Sequence, residues 1–195
     1  MSRGWLRTPV RHEPVGALRA RKPARVSSNS HRMADVDLND PNFERTAYDP
    51  WIAYGRSKTG DALLAVAFDA RHRARVVRAA SVHPGGIQTE LTRHMDPSEF
   101  MAAFQVMHNQ HLAQGNPPFE GKRVPQGAAT TVWAGVVADD AEIGGRDCED
   151  CHVGEVLPDD VQTSPFNPGV RRYALDPVHA EALWAKAREI VGERY

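Results

Sequence analysis

The sequence predicts an α/β fold, and three observations carry that expectation. A long helical stretch opens at Pro50 and Trp51 and fades near residues 71–74. A mostly apolar run of strand length, residues 76–82, follows it and stops at Pro84, Gly85 and Gly86. A helix leading into such a run suits a β-α-β unit with a buried parallel strand. Three later helical segments, residues 97–113, 125–138 and 177–191, each carry a proline at or near the first turn, where its missing N–H is no loss.

In chain order, residues 1–24 show no sustained period of 2 or 3.6, and Pro9, Pro14 and Pro23 interrupt any helix. Residues 1–33 hold eight basic side chains against the single Glu13, so the remaining 162 residues carry −8. This Arg-rich leader lacks the apolar centre of a secretory signal. It reads as a disordered extension unrelated to the domain over residues 25–195, an artefact of the assigned start, or a transit peptide. Residues 25–28 are β-like, and residues 29–49 read as a loop with little structure of its own. Asp49 is placed to cap the first long helix and Pro50 to open it. Residues 144–158 are Gly-rich and acidic, with room for a short strand over 151–156.

Composition narrows the function classes. At 195 residues and 21.6 kDa the chain fits one ordinary domain. Hydrophobic residues make up 41% and charged residues 25%, which allows a packed core. With 24 basic against 25 acidic side chains, nucleic acid or a membrane surface is not the expected partner. Apolar runs such as residues 62–68 and 131–138 are too short to span a bilayer. Two cysteines, Cys148 and Cys151, exclude a disulfide-stapled secreted scaffold. The expectation is a soluble, cytoplasmic protein.

The residues with the most chemistry in them are Ser28, Tyr54 and Lys58. Tyr54 and Lys58 stand at i and i+4, on one helix face and roughly 5–6 Å apart at Cβ. An ammonium beside a phenol favours phenolate and draws the tyrosine toward working pH. Such a tyrosine can give a proton to a carbonyl oxygen or take one from an alcohol. A serine hydroxyl arriving from a strand end could polarise the same oxygen.

The order of these pieces resembles the catalytic half of the short-chain dehydrogenase/reductase family, in its retinol dehydrogenase and WW-domain oxidoreductase branch. The resemblance rests on Val26-Ser27-Ser28-Asn29-Ser30-His31, on Tyr54 to Lys58 followed by Thr59, and on Ser81-Val82-His83-Pro84-Gly85 continuing to Thr89. The long insert between serine and tyrosine, Gly144-Gly145 leading to Glu149-Asp150-Cys151, and the ending Tyr173-Ala174-Leu175-Asp176-Pro177 are similar too. It covers about residues 25–195. The resemblance implies a partial Rossmann-like, doubly wound parallel sheet. It implies Tyr54 as acid/base, Lys58 as its partner and ribose ligand, and Ser28 as the carbonyl-positioning group. Pro84, Gly85, Gly86 and Ile87 would lie along the nicotinamide of NAD or NADP, with Thr89 near the phosphates. Residues 96–122 would be the substrate lid, where Phe100, Met101, Phe104 and Met107 at helical spacing read either as the edge of a pocket for a small hydrophobic alcohol or ketone or as core packing. A homodimer would pair the Tyr54 helix with the one near residues 124–138.

The family's N-terminal nucleotide-binding half has no counterpart here. Only Gly4 and Gly16 precede Gly55, so no TGxxxGxG fingerprint exists. A half sheet leaves a raw strand edge, and this truncated chain is expected to have little dehydrogenase activity. The alternative is a non-catalytic remnant serving as a binding or dimerisation module. No metal site is expected. Cys148, Cys151 and His152 supply too few ligands, and His108 with His111 has no evident carboxylate partner. His83 reads as a strand-end residue, Trp133 and Trp184 as core, and the acidic pairs at 139–140 and 159–160 as solvated loop residues.

Overall fold

The computed structural model describes residues 22–87, 89–93 and 95–192. The leader expected over residues 1–24 lies almost wholly outside them. Strand β1 (Ala24–Val26) leads through a 3-10 turn (Asn29–Met33) to helix α1 (Pro50–His72) and strand β2 (Ala80–His83). Helices α2 (Pro97–Ala113), α3 (Val124–Val132) and α4 (Asp140–Ile143) come next, with a π-helical turn (Trp133–Val137) after α3. Strands β3 (Asp147–Glu149), β4 (His152–Val153), β5 (Val156–Leu157) and β6 (Val170–Arg171) precede helix α5 (Pro177–Val191).

Local chemistry sets the helix starts. Asp49 accepts the N–H groups of Trp51 and Ile52 at 2.8 and 2.9 Å, Asp96 those of Ser98 and Glu99, and Asp176 that of His179. Each cap stands directly before a proline, so α1, α2 and α5 begin where the sequence places them.

The sheet is β1-β2-β3-β4, with β1, β2 and β3 parallel and β4 antiparallel on β3. Its two faces differ in chemistry. Ala80, Val82 and Cys148 pack with Ala134, Ala138 and Ile143, with Trp133 and Val153 against them. On the other face Ser81 donates to Asp147 at 2.5 Å, and Ser27 reaches Lys58 O of α1 at 3.0 Å. On the far side of α1, Leu63, Val66 and Ala67 bury against Ala180 of α5, flanked by Leu183 and Trp184. Among the described residues β1 has a strand on one side only, and its Val26 is half exposed.

Four expectations need correction. The strand expected over 76–82 begins only at Ala80, because Asp69 grips Arg78 Nε and Nη2 at 2.8 and 3.1 Å and takes the Ala79 N–H. Residues 76–79 are thereby wrapped around the end of α1, and Val76 turns out at φ 57°. The helix expected over 125–138 widens at Trp133 into a π turn closed by Ala138 N–H on Trp133 O; Ala134 enters the core while Val136 and Val137 stay exposed. The single strand expected over 151–156 is interrupted. Asp150 and Cys151, both at positive φ, make a two-residue hairpin between β3 and β4, and β5 pairs with β6 instead. Finally, residues 29–49 are ordered by Asp40, whose carboxylate collects the N–H groups of Glu44 and Thr46 and the Thr46 hydroxyl at 2.7–2.9 Å. Arg56 of α1 donates to Asp40 O and stacks on Phe43.

Candidate active site

Tyr54 and Lys58 stand side by side on α1, with the Lys58 ammonium 5.7 Å from the Tyr54 ring centroid. The ammonium is fixed from two directions, donating to Val26 O at 2.9 Å and to Asp61 Oδ2 at 3.2 Å. An ammonium has three protons, so one donor remains for a ligand. Ser27 donates to Lys58 O, tying the end of β1 to the same turn of α1.

Ser28 follows in extended conformation and caps the 3-10 turn. Its hydroxyl accepts the Ser30 N–H at 3.2 Å and donates to the Ser30 hydroxyl at 3.3 Å. No hydrogen bond among the described residues joins Ser28 to Tyr54 or Lys58. The three candidates thus share one corner of the fold, but only tyrosine and lysine meet as side chains.

Two residues that sequence reasoning did not single out set this corner. A Cβ at Gly55 would lie 2.9 Å from Ser30 O and 3.1 Å from Ala34 N, so glycine lets the serine turn press onto the helix next to Tyr54. His31, 2% exposed, donates from Nδ1 to Ser28 O at 2.7 Å and accepts the Arg171 N–H at Nε2. Burial lowers its imidazole to about 4, so it is neutral in this role. Its carbonyl receives the Thr59 and Tyr173 hydroxyls. The available signals were a glycine in mid-helix and a histidine three residues after the serine.

The segment expected along a nicotinamide leaves β2 at His83. Burial, then the Lys122 charge, lowers His83 to about 4, and its Nδ1 is buried with no partner among the described residues. A Cβ on Gly85 would meet the Lys122 side chain at 2.7 Å, and one on Gly86 the Phe119 ring at 2.6 Å. Lys122 N–H donates to Gly86 O, Ile87 bridges to Lys122, and the Lys122 ammonium pairs with Asp150. Ile87 also lies on Gly127 of α3, while Thr89 caps the short turn Glu90–Thr92. The Lys122 and Phe119 side chains thus lie beside Gly85 and Gly86, while Gly86 itself stays exposed.

These residues fit one end of a nicotinamide dinucleotide. Tyr54 and the spare Lys58 donor suit a ribose, whereas α1, α2 and α5 begin on proline behind their own aspartate caps and offer no glycine cradle for a pyrophosphate. Among the described residues no group of His, Cys, Asp and Glu could hold a metal ion, and no helix is long and apolar enough to cross a membrane. Cys148 lies in the apolar core, where burial pushes its thiol up to about 12, and Cys151 is exposed on the hairpin.

The architecture is of the Rossmann-like α/β class. A solved structure of an uncharacterized protein from Mycobacterium paratuberculosis superposes with a TM-score of 0.58 over 90% of this chain and 52% of that one, at 21% identity. No protein-family model matches the chain. Among curated proteins, a "Probable oxidoreductase" of Streptomyces lividans is 41% identical over 160 residues, covering 82% of this chain and 51% of its own length. "Short-chain dehydrogenase/reductase prx1" of Penicillium roqueforti is 32% identical, with 82% of this chain and 43% of that protein covered. "Short-chain dehydrogenase TIC 32 A, chloroplastic" of Brassica napus is 32% identical over 75% of this chain and 38% of its own. The chain belongs to the short-chain dehydrogenase/reductase family. It spans about half the length of the curated relatives it matches.

Proposed function

We propose that this chain carries the proton-transfer site of an NAD- or NADP-dependent oxidoreductase acting on an alcohol or carbonyl group of a small hydrophobic molecule. The observation that carries the reading is the Lys58 ammonium, held 5.7 Å from the Tyr54 ring by Val26 O and Asp61. The nicotinamide, when bound, supplies or accepts the hydride. Tyr54 gives its phenolic proton to the carbonyl oxygen as the carbon gains hydride, or takes it back when an alcohol is oxidised. Lys58 stabilises the phenolate left behind and offers its third proton to a ribose. Ser28 polarises the same oxygen once its hydroxyl turns from Ser30, a rotation that costs one weak hydrogen bond. The names of the relatives support an oxidoreductase over a non-catalytic remnant. A cytoplasmic homodimer belongs to the same reading, with the exposed Val132, Val136 and Val137 as its apolar contact.

The test is hydride transfer by the intact 195-residue chain at high NADH or NADPH concentration with hydrophobic ketones, read from nicotinamide absorbance. Turnover is expected to be slow, since the adenosine end finds no cradle among the described residues. Replacing Tyr54 by Phe is expected to lower it about a hundredfold with the circular dichroism spectrum unchanged. Turnover that survives Tyr54→Phe, or none in the parent chain, would overturn the reading.

A further inference from the structure

Beyond Gly86 the chain builds a ring cluster that proton transfer does not need. Phe119, whose ring abuts Gly86, stacks on Phe166 with centroids 4.4 Å apart. Phe104 of α2 meets Phe166 and Phe119 edge-on at 5.5 and 6.2 Å, and His108, one turn further along α2, faces Phe104 and Phe166. Among these apolar rings the His108 Nδ1 is buried and has no hydrogen-bond partner among the described residues. A buried, unpaired imidazole nitrogen costs folding free energy. A phenylalanine would stack in the same place without that cost.

His111 ties α2 to the segments that carry Phe119 and Phe166. His111, buried on α2, donates from Nε2 to Pro117 O at 2.9 Å and accepts the Ser164 hydroxyl at Nδ1, 2.6 Å away. Ser164 in turn accepts the Phe166 N–H. Phe104, His108 and Phe166 are therefore held as one wall. Phe119 is half-buried between the exposed Pro118 and Glu120, on a segment tied by Pro117 O to His111 and by the Lys122 N–H to Gly86 O, and its ring lies over Gly86.

We propose that Phe104, His108 and Phe166 form the specificity wall of the proposed dehydrogenase site, with Phe119 as its cover. The wall selects a ring-bearing alcohol or ketone with a second hydroxyl at the end remote from the reacting carbon, and His108 Nδ1 hydrogen-bonds that hydroxyl. A hydroxyl donates or accepts, so it satisfies either imidazole tautomer. The inference rests on the dehydrogenase reading for the position of the reacting carbon, but the wall can be tested without hydride transfer.

The experiment is a fluorescence titration of the intact chain, without cofactor, with 6-hydroxy-2-naphthalenemethanol and with 2-naphthalenemethanol. The parent chain is expected to bind the hydroxylated probe about tenfold more tightly, the scale of one hydrogen bond. His108→Phe is expected to abolish that preference while still binding the plain probe, and His108→Gln to keep part of it. A preference unchanged in His108→Phe, or no binding of either probe to the parent chain, overturns the wall whatever the turnover assay gives. The expected pattern in a chain that never transfers hydride upholds the wall and removes the dehydrogenase reading instead.

Discussion

Gly55→Ala is expected to destabilise the protein by about 2 kcal/mol, whereas Gly60→Ala, five residues along the same helix, stabilises it by about 0.5–1 kcal/mol. In a helix interior alanine outranks glycine by roughly 1 kcal/mol, because glycine loses more backbone freedom on folding. At Gly60 nothing opposes that gain: a Cβ would meet Leu183 Cδ2 and Val36 Cγ2 at 3.9 Å, ordinary van der Waals contact. At Gly55 the same atom would stand 2.9 Å from Ser30 O and 3.1 Å from Ala34 N, and both of these are backbone. The turn Asn29–Met33 is held in turn by His31 and Thr59, so it cannot retreat without breaking their hydrogen bonds. Overpacking against a fixed neighbour costs about 1–3 kcal/mol, enough to reverse the propensity gain. Urea unfolding of the two variants beside the parent settles the matter. Equal and favourable shifts for both would mean that the serine turn is not seated on α1 as described. Because the displaced turn carries Ser28, Gly55→Ala should also lower any turnover, and Gly60→Ala should not.

What the sequence made legible was whatever local chemistry decides. Asp49, Asp96 and Asp176 stand immediately before prolines, and each such pair starts a helix whatever packs against it later. Tyr54 and Lys58 were legible for the same reason, since a spacing of four fixes their relation inside one helix. Boundaries set by distant partners were not. The late start of β2 depends on Asp69 gripping Arg78, and the break after β3 on a turn made by Asp150 and Cys151 without glycine. The site divides along the same line. The Ser28 hydroxyl is engaged by Ser30 two residues away, a choice that residue type alone does not express. His31 acquires its role only when β6 brings the Arg171 N–H to its ring. Asp147 and Glu149, in a stretch that read as Gly-rich and acidic, are 3% exposed because β3 runs between β2 and β4.

That buried pair leads to the second large effect, Asp147→Asn, whose benefit should depend on pH. Burial is the main cause that pushes Asp147 up to about 7, with the neighbouring Glu149 charge adding to it against the Ser81 hydrogen bond. Between its ordinary value of 3.8 and 7, the folded protein keeps a proton that the unfolded chain releases, so stability falls as pH rises through that window. At about 1.4 kcal/mol per unit the cost reaches about 4 kcal/mol above pH 7. Glu149, also raised by burial, acts in the same direction. His31 and His83 oppose them. Each is lowered from 6.5 to about 4, so their contribution is intact above pH 6.5 and is lost as pH falls, about 3 kcal/mol apiece by pH 4. The two slopes oppose each other in the parent chain, so acidification should cost it less than the two histidines alone would. Asparagine is the shape of the neutral acid and can still accept the Ser81 hydroxyl, so it removes the carboxyl slope alone. The variant should therefore match the parent near pH 4, exceed it by about 4 kcal/mol at pH 8, and lose stability steeply on acidification. Urea midpoints at four or five pH values distinguish the cases: parallel curves for parent and variant would show that Asp147 is ionised in the fold and that the polar face of the sheet is open to water.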